Sequence, residues 1–324
     1  MTDTSSSGIL KSGVLSREDC LAILNTPDEE LDKLLEAAFV LRRKHKGLTV
    51  AIQILSNAKS GNCTEDCAYC AQSRIADSGI ETYPLISYEK LLATGKQAKE
   101  RGLSRHCIGL SGIRFSDKAI DAFSEYVRKL KAETNTAICC SIGFLTEAQA
   151  RKLKAAGLDR INHNLNTSRA FYPNICTTHT FEERVANIKM LQAIGFEICS
   201  GGIIGLGESK SDVVDMLLEL RSINPESVPI NFLLPIKGTS LEKADTAHLT
   251  TAYCLKVLCL ARFMLASASI RCAAGREVYF KGNERDLFKV ADSIFTSGYL
   301  TADGQTIDDT IKLVKESGFE YCIE

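Results

Sequence analysis

Apolar and polar positions along the chain repeat as a unit, in which a helix-spaced segment is followed by a short strand-like one. After Thr26-Pro27-Asp28-Glu29, leucine and alanine residues recur at helical spacing as far as Gly47. The tetrapeptide predicts a capping box with Pro at the first helical position. The apolar segment 49–55 then predicts a strand. The unit returns where Thr146 with Gln149, and Thr180 with Glu183, predict two further capped helices.

Eight candidate strands alternate with helices, and this alternation predicts a parallel sheet. Eight units are what a closed (β/α)8 barrel needs, so we predict a single-domain α/β barrel of the TIM type. A doubly wound open sheet is the alternative, because sequence alone cannot prove closure. The predicted strands lie at 49–55, 104–111, 136–142, 159–165, 196–201, 228–234, 268–274 and 292–296.

One face of several predicted strands is polar or small, and the other is apolar. Residues i and i+2 of a strand share a face, and a barrel covered by helices has an apolar outer face. The polar faces therefore point into the lumen, which suits a lumen that holds ligands and not one filled with branched side chains. These faces carry Arg105, Cys107, Gly109 and Ser111; Ala137, Cys139 and Ser141; Asn162, Asn164 and Asn166; and Ser267, Ser269 and Arg271.

Length and charge limit the class of protein further. The 324 residues are 45% hydrophobic, which suits one barrel with a large core. Lys and Arg number 39 against 40 Asp and Glu, so no basic surface favours a nucleic-acid partner. No apolar run predicts a membrane span, and the polar start, Met1 to Gly8, does not read as a secretory signal. We expect a cytoplasmic protein with a flexible tail and lead-in at 1–25 and the barrel at 26–324.

Thirteen cysteines are many for a chain without an export signal. In a reducing cytosol they are expected to be thiols or metal ligands and not disulfides. Buried filler is the simplest interpretation, and it fits Cys254 and Cys259 in an apolar run. It fits several of the others less well.

Cys63, Cys67 and Cys70 follow the first predicted strand on one short loop. Three thiolates at this spacing can hold a 4Fe–4S cluster and leave its fourth iron open to a chelating small molecule. Loops after barrel strands are also where barrel active sites lie. A zinc knuckle or chance is the alternative, but zinc prefers four ligands and no second pair lies nearby.

This motif, with the aromatic Tyr69 before its last cysteine, resembles the mark of the radical S-adenosylmethionine superfamily. The resemblance implies that the open iron binds the amino and carboxylate groups of S-adenosylmethionine. An electron from the cluster then yields methionine and a 5′-deoxyadenosyl radical.

Further segments narrow the resemblance to the biotin synthase family, over nearly the whole chain from about residue 30. Each alone is weakly specific, and together they are specific. They are 61–73 around the cluster motif, NHNLNTS at 162–168, CSGGIIGLGE at 199–208, VPINFLLPIKGTSL at 228–241 and RCAAGRE at 271–277.

The resemblance implies a second cluster in the lumen, held by Cys107, Cys139, Cys199 and Arg271. For each cysteine alone, buried filler remains the alternative. We expect a 2Fe–2S cluster, because strand parity turns the neighbouring Cys140 and Cys272 outward. A β-bulge would reverse that parity and permit a larger cluster with four thiolates.

The resemblance also assigns ligand contacts. It implies that Asn164 and Asn166 face the ribose of S-adenosylmethionine, that Arg184 pairs its carboxylate, and that Asn231 binds the ureido ring of dethiobiotin. Asn166 stands where an acid is common in the family. A buried amide ladder and a solvated helix charge are the alternatives for the two asparagines and for Arg184. The glycines at 201, 202, 205 and 207 lack the spacing and downstream acid of a dinucleotide loop.

The family activity converts dethiobiotin to biotin, with sulfur supplied by the second cluster. It requires no general acid or base, so no catalytic side chain is predicted. The resemblance also implies an electron donor such as flavodoxin or ferredoxin, and a homodimer. The rivals are another radical enzyme, similar to hydrogenase maturases or methylornithine synthases, and an electron-transfer iron–sulfur protein. A dethiobiotin assay separates the first, and S-adenosylmethionine cleavage separates the second.

Overall fold

A computed structural model describes residues 14–298, 300–301 and 304–322 of the chain. Its strands form one sheet that closes on itself, because β1 pairs with both β2 and β9. The strands are β1 (Thr49–Lys59), β2 (Arg105–Leu110), β3 (Ala137–Ser141), β4 (Arg160–Asn162), β5 (Glu197–Cys199), β6 (Gly202–Ile204), β7 (Ser227–Phe232), β8 (Ser269–Cys272), β9 (Ser293–Thr296) and β10 (Glu320–Cys322).

The closed barrel has eight strand positions, which we call staves, and every pairing between them is parallel. The strands β5 and β6 form one stave, interrupted at Ser200 and Gly201, since both pair with β7. The strand β10 lies outside the ring and pairs with β1. The predicted closed (β/α)8 barrel is confirmed, and each of the eight predicted strands overlaps an observed one.

Helices cover the outside of this barrel. They are α1 (Arg17–Leu24), α2 (Leu31–Lys46), α3 (Tyr88–Glu100), α4 (Asp117–Thr134), α5 (Glu147–Ala155), α6 (Phe181–Ile194), α7 (Lys210–Ile223), α8 (Thr251–Met264), α9 (Arg276–Tyr279), α10 (Glu284–Val290) and α11 (Ile307–Glu316). No helix in the described part of the chain has both the length and the apolar character needed to cross a bilayer.

Two of the three predicted capping boxes are present. Thr146 with Gln149 begins α5, and Thr180 with Glu183 begins α6, each through reciprocal side-chain and backbone hydrogen bonds. The box predicted at Thr26 is wrong. The Thr26 hydroxyl donates to the Ala22 carbonyl of the preceding turn, 3.2 Å away, and a 3-10 turn at Asp28–Glu30 precedes α2. A helix ending just before Thr26 offers its hydroxyl a nearer acceptor.

The helix α1 lies within the predicted tail and lead-in at 1–25. It buries Cys20, Ile23 and Leu24 and packs against α7 and α8. Its Ser16 capping box fixes the start of the helix. Residues 17–24 therefore belong to the helix layer of the barrel, while residues 1–13 of the predicted tail lie outside the described residues.

The strand β8 is anchored from behind by a buried ion pair. Arg262 on α8 pairs with Asp292, and its guanidinium also donates to the Ala266, Ala268 and Val290 carbonyls. Asp292 in turn accepts the Ile270 backbone N–H at 2.8 Å. Removing one partner of such a pair costs about 3–5 kcal/mol, because the other charge stays buried. The pair therefore fixes the backbone beside Arg271.

The amino-terminal end of the lumen is filled by charged side chains. Arg105 on β2 and Arg160 on β4 are buried, and both contact Glu197 on β5, at 3.1 Å and 2.9 Å. All three side chains have the inward parity of their strands. We call these three residues the floor of the barrel.

Candidate active site

A cavity of about 420 Å³ extends through the lumen toward the carboxyl ends of the strands. It has the size of a typical small-molecule site. Almost every site residue predicted from the sequence lines it, and only Cys199 does not. The predicted residues along its wall are Cys63, Cys67, Tyr69, Cys70, Cys107, Cys139, Asn164, Asn166, Arg184, Asn231 and Arg271.

The loop after β1 carries Cys63, Cys67 and Cys70 to the upper wall of the cavity. The backbone carbonyl of Glu65 closes the loop by accepting the Ser73 hydroxyl and the Arg74 N–H, each at 2.9 Å. The three sulfurs are not all within 4.8 Å of one another. Such a spacing is compatible with a cluster of several irons, because each cysteine then binds a different iron.

A second segment, 175–179, is bound to this loop. The Ala68 N–H donates to the Ile175 carbonyl at 2.9 Å. The Asp66 carboxylate accepts the backbone N–H of Thr177 at 3.0 Å and of Thr178 at 3.3 Å, and the hydroxyl groups of both threonines. The segment thus holds in place the loop that carries Cys63, Cys67 and Cys70, which we call the cluster loop.

Arg184 on α6 is buried, with its guanidinium held on three sides. Its Nε donates to the Tyr172 hydroxyl, one terminal nitrogen donates to the Asn164 carbonyl at 3.2 Å, and the other contacts His179 Nε2 at 2.7 Å. A solvated helix charge, the alternative considered from sequence, does not describe this residue, whose relative accessibility is 9%. The group is instead a fixed positive charge on the cavity wall, close to Tyr69 and Cys67.

His179 connects Arg184 to the cluster loop. Its Nδ1 lies 2.6 Å from a carboxylate oxygen of Glu65, which also accepts the Thr178 hydroxyl at 2.6 Å. Burial raises the pKa of Glu65, but hydrogen bonds from Thr178, His179 and Thr64 outweigh it and leave that pKa below its usual value. An ionised Glu65 requires a proton on Nδ1, so Nε2 is the acceptor for Arg184. We call Glu65, His179 and Arg184 the carboxylate–imidazole–guanidinium relay.

Asn164 and Asn166 follow β4 on the side of the cavity next to Arg184. The Asn164 side-chain oxygen accepts from the Gly201 N–H at 3.2 Å and from Asn162 at 3.0 Å, while its amide nitrogen makes no hydrogen bond within the described residues. The backbone of Asn166 has φ +74°, a left-handed conformation that Asn and Asp tolerate best after Gly. Asn166 is therefore a residue type that suits this backbone conformation, and its side chain carries no charge.

Asn231 on β7 lies across the cavity and is held at both ends of its amide. Its Nδ2 donates to the Gly202 carbonyl, and its Oδ1 accepts the Ala274 N–H, each at 3.1 Å. One hydrogen and one lone pair of the amide remain for a ligand. Asn231 is therefore both a bridge between staves and a candidate ligand contact.

Deeper in the lumen, Cys107, Cys139 and Cys199 form a small buried group of their own, apart from the main core. Cys107 and Cys139 are direct partners across β2 and β3. Arg271 reaches the group from β8, with one guanidinium nitrogen 3.6 Å from the Cys199 sulfur. Their separation from the main core and their contact with Arg271 favour a shared ligand over buried filler.

Arg271 is almost fully buried, and its other contacts are neutral. It donates to the hydroxyl groups of Ser293 at 3.1 Å and Ser227 at 3.2 Å, and lies 4.8 Å from the centre of the Phe295 ring. A hydrogen bond with Cys107 raises the pKa of Cys139, a hydrogen bond with Cys139 raises the pKa of Cys199, and burial raises both. Metal binding displaces such thiol protons, and an anionic cluster supplies charge for a buried guanidinium. The donor set therefore fits a sulfur-ligated cluster.

Cys140 and Cys272 face away from the lumen, as strand parity predicts. Both are completely buried in the main core, and neither lines the cavity. The pairing of β2 with β3 runs without a register shift through Cys139 and Cys140. The bulge that could bring Cys140 inward is absent from this pairing.

The glycines that interrupt the fifth stave serve close packing. A Cβ on Gly201 would lie 1.9 Å from the Pro229 carbonyl oxygen, and one on Gly202 would lie 2.1 Å from the Met216 sulfur. Any larger residue at Gly201 would clash with backbone, and any larger residue at Gly202 would clash with a core side chain, so both positions require glycine. This agrees with the rejection of a dinucleotide loop.

Sequence reasoning missed His179, Glu65, Cys176 and Tyr172. Glu65 stands inside the cluster motif, and His179 precedes the capping box of α6, so each was visible beside a predicted feature. Their meeting depends on how the loop after β1 folds against the loop after β4, and no local periodicity encodes that contact. Asn162, which was placed on the lumen face without a role, donates to the Cys199 sulfur at 3.3 Å.

Comparisons with known families divide the chain between two models. The radical SAM superfamily model matches residues 58–220, and the biotin and thiamin synthesis associated domain matches residues 229–320. Among curated relatives, the biotin synthase of Lysinibacillus sphaericus is 41% identical and covers 96% of this chain and 93% of its own length. The biotin synthase of Rhodopirellula baltica is 39% identical and covers 96% of this chain and 86% of its own length.

Solved structures with the same fold are more distant in sequence. Methylornithine synthase superposes with a TM-score of 0.84 at 19% identity, covering 98% of this chain and 96% of its own. The FeFe-hydrogenase maturase of Carboxydothermus hydrogenoformans superposes with a TM-score of 0.83 at 16% identity, covering 96% of this chain and 77% of its own. These likenesses support the barrel fold alone.

Proposed function

The chain belongs to the biotin synthase family of radical S-adenosylmethionine enzymes, and from this we propose that it converts dethiobiotin to biotin within the cavity of its barrel. One observation carries the proposal beyond family membership. Three thiols and an arginine from four different strands meet at the inner end of the cavity, where a sulfur-donating cluster would lie next to a substrate. A radical enzyme that adds no sulfur has no need of this group.

Cys63, Cys67 and Cys70 would hold a 4Fe–4S cluster, which supplies the electron that cleaves S-adenosylmethionine to methionine and a 5′-deoxyadenosyl radical. Arg184 would pair the carboxylate of the bound S-adenosylmethionine, since two planar groups with several hydrogen bonds suit each other. Its three existing contacts fix the guanidinium before the ligand arrives. Tyr69 lies beside it on the same wall.

Asn164 and Asn166 would face the ribose hydroxyl groups. The free amide nitrogen of Asn164 can donate to a hydroxyl oxygen. Asn166 can both donate and accept, but a neutral amide binds a diol less strongly than the carboxylate common at this position in the family. We therefore assign Asn164 the larger part of the ribose contact.

Cys107, Cys139, Cys199 and Arg271 would hold a 2Fe–2S cluster, which supplies the sulfur that joins the two carbons of dethiobiotin. The outward orientation of Cys140 and Cys272 supports this smaller cluster over one with four thiolates. Arg271 would contribute positive charge to the buried group, against which the apolar Leu55 and Phe295 pack. Asn231 would hydrogen-bond the ureido ring with its remaining hydrogen and lone pair.

The described residues need not supply a general acid or base, since the chemistry belongs to the cofactors. Their task is to position the ligands and to exclude water, which the apolar parts of the wall favour. We also propose a homodimer in the cytoplasm, served by an electron donor such as flavodoxin or ferredoxin. The many free cysteines among the described residues support a reducing compartment.

The test is anaerobic turnover of the chain reconstituted with iron and sulfide, given reductant, S-adenosylmethionine and dethiobiotin. We expect biotin, together with about two molecules of 5′-deoxyadenosine for each biotin, because two carbon–hydrogen bonds are broken. The matched control is Cys140→Ala, whose thiol neighbours the proposed ligand but faces outward. Cleavage of S-adenosylmethionine without biotin would favour another radical enzyme, and no cleavage would favour an electron-transfer protein.

A further inference from the structure

Cys176 is a thiol that the proposed reaction does not use. It is buried on the segment bound to the cluster loop, and its sulfur lies 3.8 Å from the sulfur of Cys67. The hydrogen bonds of Ala68 and Asp66 to this segment hold the two cysteines opposite each other. The contact therefore follows from the backbone pairing and not from one side-chain rotamer alone.

A metal ion is the first alternative for this place, because Cys67, Cys176 and His179 are within 4.8 Å of one another. Both ring nitrogens of His179 are already engaged, however, one with Glu65 and the other with Arg184. A divalent ion at either nitrogen would displace that partner, and at Nε2 it would lie against a guanidinium. The thiol pair is the chemically available part of the group.

We propose that Cys67 and Cys176 form a disulfide in the chain that has not received its first cluster. The inference rests on the proposed function, in which Cys67 is a cluster ligand. A disulfide needs sulfurs about 2.05 Å apart, and rotation of the two side chains can bring neighbouring sulfurs to that distance. The bond takes one of three ligands from the cluster and ties the cluster loop to the segment at 175–179.

The oxidant is a low-molecular-weight disulfide such as glutathione disulfide. One of the two protein thiolates attacks the glutathione disulfide, forms a mixed disulfide and releases one glutathione. The other protein thiolate then attacks the protein sulfur of that mixed disulfide and releases the second glutathione. Two protein thiols are oxidised, one glutathione disulfide is reduced, and the two protons go to the two glutathione thiolates.

The consequence is a reversible block on cluster assembly. The oxidised chain has lost a ligand to the disulfide and cannot hold the first cluster until a reductant opens it. The bond also protects Cys67 from irreversible oxidation while the site is without its cluster.

The test is peptide mapping without reduction. The cluster-free full-length chain is treated anaerobically with glutathione disulfide, alkylated and digested with trypsin. Cys63, Cys67 and Cys70 fall in the fragment 60–74, and Cys176 is the one cysteine in the fragment 170–184. We expect these two fragments to be linked. The link should persist in Cys63→Ser and Cys70→Ser and be lost in Cys67→Ser and Cys176→Ser.

Iron uptake gives a second readout. The oxidised wild-type chain should take up about four fewer irons than the reduced chain, and dithiothreitol should restore them. Oxidised Cys176→Ser should show no link between the fragments, with its fold checked by circular dichroism. Alkylation of both Cys67 and Cys176, or a disulfide inside the fragment 60–74, would overturn the inference. Failure of the proposed function would look different, because even the reduced chain would then lack the first cluster.

Discussion

The relay from Glu65 through His179 to Arg184 predicts that a residue outside the cluster motif controls S-adenosylmethionine affinity. The perturbation is His179→Ala, which removes one of three contacts on the Arg184 guanidinium and leaves those from Tyr172 and Asn164. It also removes the link between the guanidinium and the cluster loop. The side chain is buried, so no surface charge changes.

The expected loss follows from the kind of contact. A hydrogen bond to a charged group contributes about 1.5–3 kcal/mol, and two remaining contacts still hold Arg184 near its place. We therefore expect the lower part of that range, about 1.5–2 kcal/mol, or roughly a 10- to 30-fold rise in the dissociation constant. Thermal stability should change less, since Glu65 keeps its hydrogen bonds from Thr178 and Thr64.

The assay is anaerobic equilibrium dialysis of S-adenosylmethionine against the reconstituted chain, with dethiobiotin binding measured in parallel. His179→Gln is the conservative control, because one amide can donate to Glu65 and accept from Arg184. It should recover much of the affinity lost in His179→Ala. A purely structural role would lower binding of both ligands and the iron content together.

Unchanged S-adenosylmethionine affinity in His179→Ala would refute the relay. So would a loss that His179→Gln repeats in full with an intact cluster, because the hydrogen-bond pattern would then be irrelevant. A loss confined to dethiobiotin would show that Arg184 does not face the first ligand.

Three shorter predictions concern the clusters and the substrate. Cys67→Ala should abolish 5′-deoxyadenosine release from S-adenosylmethionine by the reduced anaerobic protein, and retained release would remove the first cluster from this loop. Asn231→Ala should weaken dethiobiotin binding by about 1–3 kcal/mol while S-adenosylmethionine affinity stays near wild type. The same variant should have a lower melting midpoint, because the Gly202 carbonyl and the Ala274 N–H lose their partner. Iron, sulfide and Mössbauer analysis should find about six irons per chain in the wild type, with the second cluster kept in Cys140→Ala and Cys272→Ala. About eight irons, with loss of the second cluster in either variant, would contradict the outward orientation of these thiols.

The barrel was predictable because its strands have two chemically different faces. Alternation correctly turned Cys107, Cys139 and Arg271 inward and Cys140 and Cys272 outward, since a pleated strand leaves no other choice without a bulge. Helix starts were less certain where two acceptors compete. Thr26 satisfies its hydroxyl on the preceding turn, and nothing in the local sequence distinguishes that acceptor from the cap.

The residues that line the cavity were largely predictable from the sequence, and the side chains that hold them in place were not. The spacing of Cys63, Cys67 and Cys70 is a local pattern. The other candidate ligand contacts, such as Arg184 and Asn231, came from the resemblance to a family. His179 and Cys176 act through a loop-to-loop contact between segments about a hundred residues apart, which no sequence period describes. The left-handed backbone of Asn166 is likewise visible only in the structure.

The floor of the barrel imposes an order on the binding and release of ligands. Arg105, Arg160 and Glu197 fill the end of the lumen below the inner cysteines, and none of them lines the cavity. A molecule seated beside Arg271 must therefore arrive and depart at the opposite end, past Arg184 and the cluster loop. The cavity is closed at the floor, so a ligand near Arg271 can leave only after the ligand near Arg184 has left. Release of the product would therefore require prior release of the S-adenosylmethionine fragments, and a fragment that stays bound near Arg184 would inhibit turnover.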